Sequence, residues 1–171
     1  CSGYGRGRPL VSGQQPIMTP LPFTVVGGFL GAGKTTLINR LLREPGAERY
    51  AVLVNDFGEL NLDAELIVSR RGQTLTLSNG CMCCSLANGF SRALNQVLAR
   101  VEIFDHVLIE ASGVAEPARI IDIAALEPEF FPNGVVVLAD ALRIGEQLCD
   151  PQVGDVVSRQ LCSATLVGLN K

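Results

Sequence analysis

Residues 27–36 restrict what this chain can fold into more than any other stretch. They read GGFLGAGKTT, and Gly28, Gly33, Lys34 and Thr35 satisfy the spacing G-x-x-x-x-G-K-[ST]. Such a loop works only where a strand runs into a helix, and both flanks comply. "LPFTVVGG" is a buried-strand run, and residues 34–43, "KTTLINRLLR", set Leu37, Ile38, Leu41 and Leu42 at helical spacing. Glycines let successive backbone N–H groups turn inward around a β-phosphate. The helix start adds partial positive charge. Lys34 then bridges the β- and γ-phosphates, the Thr35 hydroxyl ligates Mg²⁺, and Thr36 lies near the α-phosphate.

The remaining chain repeats the strand–helix alternation. "YAVLVN" (50–55), "DHVLIE" (105–110), "GVVVLAD" (134–140) and "TLVGLNK" (165–171) are near-continuous apolar strands. Helices are expected over 87–100, with Ala93, Leu94, Val97 and Leu98 inward, over 117–126 before Pro128, and over 153–164. "ELIVS" and "TLTLS" flank "RRGQ" as a short hairpin. Apolar strands separated by helices mean an α/β fold, a mostly parallel sheet with helices on both faces. Residues 1–20, with four glycines, three prolines and no periodicity, form a flexible lead-in or an expression remnant; 21–171 form one domain.

Composition narrows the function classes. At 171 residues and 47% hydrophobic, the chain can build a substantial core. No apolar run approaches the roughly 18 residues that cross a bilayer, so no membrane partner is expected. The formal net charge is −3 with no basic block, which argues against nucleic acid. Lysine occurs twice, at Lys34 and Lys171, against twelve arginines, and both lysines fall in motifs.

A triphosphate site also needs an acidic group and a γ-phosphate sensor. "VLIEASG" supplies Glu110 at the end of a core strand, where ligands bind in open α/β sheets. Gly113, three residues on, offers an unhindered backbone N–H. Asn170 and Lys171 begin an N-K-x-D segment of the kind that reads guanine; its aspartate would stand two positions beyond Lys171.

"SNGCMCCSL" (78–86) places Cys81, Cys83 and Cys84 within four positions of a chain with six cysteines. Adjacent Cys83 and Cys84 are too close for a relaxed disulfide, and a Cys81–Cys83 bridge is strained. Structural zinc sites usually close with two separated ligand pairs, and no second pair follows. Three thiolates leave one position open on a soft metal, Zn²⁺ first and Co²⁺ next. The competing reading is a buried or redox-sensitive cluster, and Cys149 and Cys162 are assigned to that buried class. His106, the only histidine, is packed or exposed without a metal partner in sequence. Scattered remaining cysteines fit a reducing cytoplasm.

The motifs "GGFLGAGKTT", "VNDFGEL", "LSNGCMCCSL", "VLIEASGVAEP" and "LNK" occur in the order of CobW-like GTPases, and residues 22–171 resemble that family, the cobalamin-synthesis W-like P-loop GTPases of SIMIBI type. The resemblance implies GTP held by Gly28, Gly31, Ala32, Gly33, Lys34, Thr35 and Thr36, with Mg²⁺ on Thr35 and Glu110. It implies a first switch at residues 55–59 and a second at Glu110, Ser112 and Gly113. By the same resemblance Lys34 and Glu110 would carry catalysis, and Asn170 and Lys171 would contact guanine. The resemblance also implies that Cys81, Cys83 and Cys84 hold a transferred metal, with Asp56 and Glu59 either supplementary ligands or a solvated acidic loop. The family's second, C-terminal domain, with its histidine-rich tract, is expected outside these residues.

The resulting expectation is a cytoplasmic GTPase and metallochaperone. It would bind GTP, GDP and a transition metal, and pass the metal to a client apo-metalloprotein. A partner or a homodimer would complete its catalytic site. A metal- or redox-responsive regulator and a small-molecule kinase are the competing classes.

Overall fold

The apolar runs find each other side by side. The computed structural model describes residues 19–43, 48–55, 65–70, 73–77 and 94–171. Its elements are β1 (Leu21–Gly27), α1 (Lys34–Arg43), β2 (Tyr50–Asn55), β3 (Glu65–Arg70), β4 (Gln73–Leu77), α2 (described over residues 94–98), a 3₁₀ turn (Val101–Ile103), β5 (His106–Ala111), α3 (Pro117–Ala124), β6 (Phe130–Asp140), α4 (Ile144–Cys149), α5 (Gly154–Cys162) and β7 (Leu166–Asn170). They make a seven-stranded sheet in the order β4-β3-β2-β5-β1-β6-β7. Its five strands from β2 to β7 run parallel. The β3–β4 hairpin extends it antiparallel beside β2, as the two runs flanking "RRGQ" suggested.

Alternation along each central strand sorts side chains to two faces. Phe23 and Val25, Ala51 and Leu53, and Val107 and Ile109 share one core cluster with Leu94, Val97, Ile120 and Ala124 of α2 and α3. Val26, Val52 and Leu108 point the other way, onto Ile38, with Leu37, Leu41 and Leu42 of α1 alongside. Burial on both faces is what a central parallel strand demands, and it explains why these runs lack polar interruptions. Each fully buried Val, Ile or Phe contributes roughly 1.5–3 kcal/mol of transfer free energy. Phe23 also meets Phe130 edge to face, centroids 6.1 Å apart.

Element boundaries differ from the sequence expectation at three places. β6 starts at Phe130 rather than at residue 134. Its "PNG" segment reads as a turn, yet it is absorbed as an irregularity in the β1 pairing, where Phe23 faces Pro132 and Thr24 faces Gly134. Gly134 takes a φ of +141° there, a conformation that favours glycine. The short α4 was not foreseen; of its six residues only Gln147 is buried, so no apolar period announces it. Third, α3 stops at Ala124, short of residue 126.

The edge where the parallel strands begin carries its own polar network. Asn133 Nδ2 donates to Thr24 Oγ1 at 3.3 Å, and that hydroxyl lies 2.8 Å from His106 Nε2. Tyr50 packs edge-on to the His106 ring and donates its hydroxyl to Glu48. That hydrogen bond, with burial, pushes the Tyr50 pKa up to about 12. Burial pushes His106 below the ordinary histidine range, against a weaker pull upward from Glu48. His106 is thus a packed residue.

Candidate nucleotide site

Because β1, β5, β6 and β7 are parallel, the loops that follow them gather at one edge of the sheet. β1 sits centrally, between β5 and β6. The loop after it, residues 28–33, turns directly into α1 at Lys34. Two of its glycines are enforced by their surroundings. Gly28 has φ +130°, and a Cβ there would lie 2.2 Å from the Leu138 carbonyl oxygen. Gly33 has φ +104°, and a Cβ there would lie 2.3 Å from Asn170 Nδ2. Any side chain at either position meets both backbone strain and a collision.

Lys34 is 8% exposed, and its ammonium donates to the Gly28 carbonyl at 2.8 Å and the Phe29 carbonyl at 3.3 Å. The Thr35 hydroxyl donates to Glu110 Oε1 at 2.6 Å. Glu110, 7% exposed, ends β5 in register with Val26 of β1. A hydroxyl and a buried carboxylate this close form a pair of hard oxygen donors, a set that suits Mg²⁺.

Beyond Glu110 the chain passes Ser112 and Gly113. The Ser112 hydroxyl is buried and has no hydrogen-bond partner among the described residues. Gly113 is pressed onto the phosphate-loop motif, since a Cβ there would lie 2.4 Å from Leu30 Cδ2 and 2.9 Å from the Leu30 nitrogen. The backbone after Gly113 is held from α5: Gln160 Nε2 donates to the Gly113 carbonyl at 3.1 Å and the Ala115 carbonyl at 2.9 Å.

Asn170 and Lys171 arrive from the end of β7. Asn170 Nδ2 donates to the Ala32 carbonyl at 2.9 Å, across 138 residues of sequence. Lys171 Nζ is 3.1 Å from Asp140 Oδ2 and 3.9 Å from the Cβ position of Gly31. Asp140, 5% exposed, also accepts from the Leu142 N–H at 3.1 Å. Burial alone would raise its pKa; the Lys171 ammonium, the Leu142 N–H and the Arg143 charge outweigh that and hold the carboxyl below the usual range.

Gly28, Gly31, Ala32, Gly33, Lys34, Thr35, Glu110, Gly113, Asn170 and Lys171 therefore meet at one sheet edge. Thr36 follows in the first turn of α1 and is exposed. Asn55 ends β2 in register with Ala111. Cys81, Cys83, Cys84, Asp56 and Glu59 lie outside the described residues. Among the described residues, no group of three or more His, Cys, Asp or Glu side chains could hold a metal, and no helix is long and apolar enough to cross a membrane. Cys149 and Cys162 were expected to be buried; both are exposed. Each ends its helix on the solvent side, while Gln147 and Gln160 fill the inward positions of α4 and α5.

Sequence reasoning passed over Asp140 and Gln160. Asp140 ends a core strand as Glu110 does, and the same rule would have singled it out. Gln160 stands on the apolar face of its helix beside Val157 and Leu161, and a polar residue on such a face was the available sign.

This fold and site define a P-loop nucleotide-binding domain. Residues 22–171 match the family model "CobW/HypB/UreG, nucleotide-binding domain", and the chain belongs to that family. It is 40% identical over 139 residues to the zinc chaperone YjiA of Escherichia coli, covering 77% of this chain and 44% of that protein. It is 39% identical over 186 residues to the zinc chaperone CobW of Pseudomonas aeruginosa, covering 90% and 49%. The zinc-regulated GTPase metalloprotein activator 1 of Schizosaccharomyces pombe is 33% identical over 164 residues, covering 90% and 39%. The crystal structure of Zn(II)-bound YjiA GTPase from E. coli superposes with a TM-score of 0.64 at 29% identity, over 90% of this chain and 50% of that one. The chain thus spans about half the length, or less, of these relatives.

Proposed function

We propose that this chain binds and hydrolyses GTP and uses the cycle to load and release zinc. The observation that carries the reading is the convergence on one loop. Thr35 is bonded to the buried Glu110 on one side, and the Ala32 carbonyl to Asn170 on the other. One end of that arrangement suits phosphate oxygens, and the other suits a purine base. Relatives named as zinc chaperones and as a zinc-regulated GTPase support guanine as the base and zinc as the cargo.

In the proposed reaction the backbone N–H groups of residues 28–33 and Lys34 hold the β- and γ-phosphates. Thr35 and Glu110 would hold Mg²⁺, which would supply positive charge to offset that of the phosphates. A water oxygen bonds to the γ-phosphorus while the bond to the β–γ bridging oxygen breaks, leaving GDP and inorganic phosphate. Gly113 N–H meets the charge that develops on the γ-oxygens. Asn170 and Lys171 hold the guanine.

For the cargo, Cys81, Cys83 and Cys84 offer thiolates with one coordination position open for exchange, Asp56 and Glu59 standing as supplementary ligands. The γ-phosphate orders residues 55–59 and brings the thiolates into a binding geometry; hydrolysis releases it and the zinc passes to a client apo-metalloprotein. Thiol protons must leave before zinc binds, so affinity falls as pH falls.

The test is a zinc titration of the reduced protein with a non-hydrolysable GTP analogue and with GDP. Tighter zinc binding with the analogue is expected, and equal affinities refute the coupling. Cys83→Ser should lose zinc binding while phosphate release from GTP continues.

A further inference from the structure

Gln160 is 1% exposed, as buried as Leu53 or Leu94, and it is a primary amide. A methionine or leucine would fill the same volume without carrying polar atoms out of water. Among the described residues, both of its side-chain hydrogen bonds go to one loop. They reach the carbonyls of Gly113 and Ala115, at 3.1 and 2.9 Å. The neighbouring residue on α5 adds a third tie, Arg159 Nε to Glu116 Oε1 at 2.9 Å. The opposite side of Gly113 abuts Leu30 of the phosphate-loop motif, with no room for a Cβ. Residues 113–116 are therefore clamped between α5 and the loop after β1.

We propose that Gln160 is a positioning residue for recognition of the terminal phosphate. By fixing two carbonyls of the loop, it sets the backbone around Gly113 before nucleotide arrives, so the Gly113 N–H is already aimed at the γ-phosphate. Donors fixed in advance need no reorganisation when charge reaches them. The consequence is a preference for the triphosphate over the diphosphate, since GDP presents nothing to Gly113. This rests on the nucleotide reading above and adds to it a residue that touches no nucleotide atom.

The experiment compares wild type with Gln160→Met, which keeps the volume and removes the donors. Affinities for a fluorescent non-hydrolysable GTP analogue and for fluorescent GDP are measured on the full chain. Freed from two hydrogen bonds, the loop should bind the triphosphate about tenfold more weakly, with GDP affinity unchanged within about twofold. An equal loss for both nucleotides, a tighter triphosphate complex or an unchanged ratio overturns the proposal. Should Gln160→Met fail to fold, NMR of the unmodified chain decides. The Gln160 side-chain amide protons should exchange slowly and stay protected when the GTP analogue binds; lost protection overturns the assignment. A wild-type chain that binds neither nucleotide defeats the nucleotide reading and this inference with it. A wild-type preference that survives unchanged in Gln160→Met defeats this inference alone.

Discussion

Replacing Gly33 with alanine tests the geometry of the site through a single methyl group. Two penalties act at once. The φ of +104° is strained for any L side chain, at about 1–3 kcal/mol. The new Cβ would lie 2.3 Å from Asn170 Nδ2, the far end of a flexible side chain that must then move away. The Asn170 side chain can swing aside, but only by giving up its 2.9 Å bond to the Ala32 carbonyl, about 0.5–1.5 kcal/mol. Gly33→Ala should thus destabilise the fold by roughly 3 kcal/mol, a large share of the usual 5–15 kcal/mol. Asn170→Ala removes the obstacle but leaves the backbone strain. In that background Gly33→Ala should therefore destabilise by the strain alone, about 1–3 kcal/mol, a coupling on the order of 0.5–1.5 kcal/mol. Urea unfolding of the four proteins measures the cycle. Additive effects, with coupling under about 0.5 kcal/mol, would mean that Asn170 does not rest on the phosphate-binding loop.

Other perturbations reach the remaining parts of the site and fold. Thr35→Ala and Glu110→Gln each remove one partner of the 2.6 Å pair; either should lower GTP hydrolysis by about a hundredfold and raise the Mg²⁺ concentration needed, read by phosphate release. Asp140→Asn strips the carboxylate from Lys171, and the GTP-to-ATP affinity ratio should fall severalfold while stability changes little; an unchanged ratio would remove Lys171 from base recognition. His106 is held below its ordinary pKa, so the unfolded chain binds the extra proton first. Its contribution is present above about pH 6.5 and declines as pH falls below that value. Thermal melts from pH 7 to 5.5 should therefore drop further for wild type than for His106→Phe. Cys149 and Cys162 should react with maleimide in the folded protein, each Ser variant removing one fast-labelling thiol.

How much of this was visible in the residues follows from how far apart the interacting groups stand. Strand and helix patterns repeat every two to four positions, so the apolar runs at 50–55 and 134–140 and the helical face of 34–43 announce themselves within a short window. The phosphate-binding loop is equally local: its glycines, Lys34 and Thr35 lie within eight residues, and their spacing already carries the chemistry. Glu110 was legible because strand ends are where parallel sheets bind ligands, a rule that needs only the strand's direction. Failures came where local pattern and packing disagreed. "PNG" reads as a turn, but pairing with β1 held it in a strand. Cys149 and Cys162 are small apolar residues, yet the helix rotation that puts Gln147 and Gln160 inward leaves them outward.

The sequence by itself determined the class of fold and the glycine-rich loop between β1 and α1, since each depends on neighbours within about one element. Tertiary structure decided the order β4-β3-β2-β5-β1-β6-β7, and with it which loops share an edge. It alone joined Asn170 to Ala32, Lys171 to Asp140, His106 to Thr24, and Gln160 to Gly113. Those pairs are 138, 31, 82 and 47 residues apart. A hydrogen bond acts over about 3 Å, and nothing in a linear pattern reports that two distant strand ends will come that close once the sheet has closed around its core.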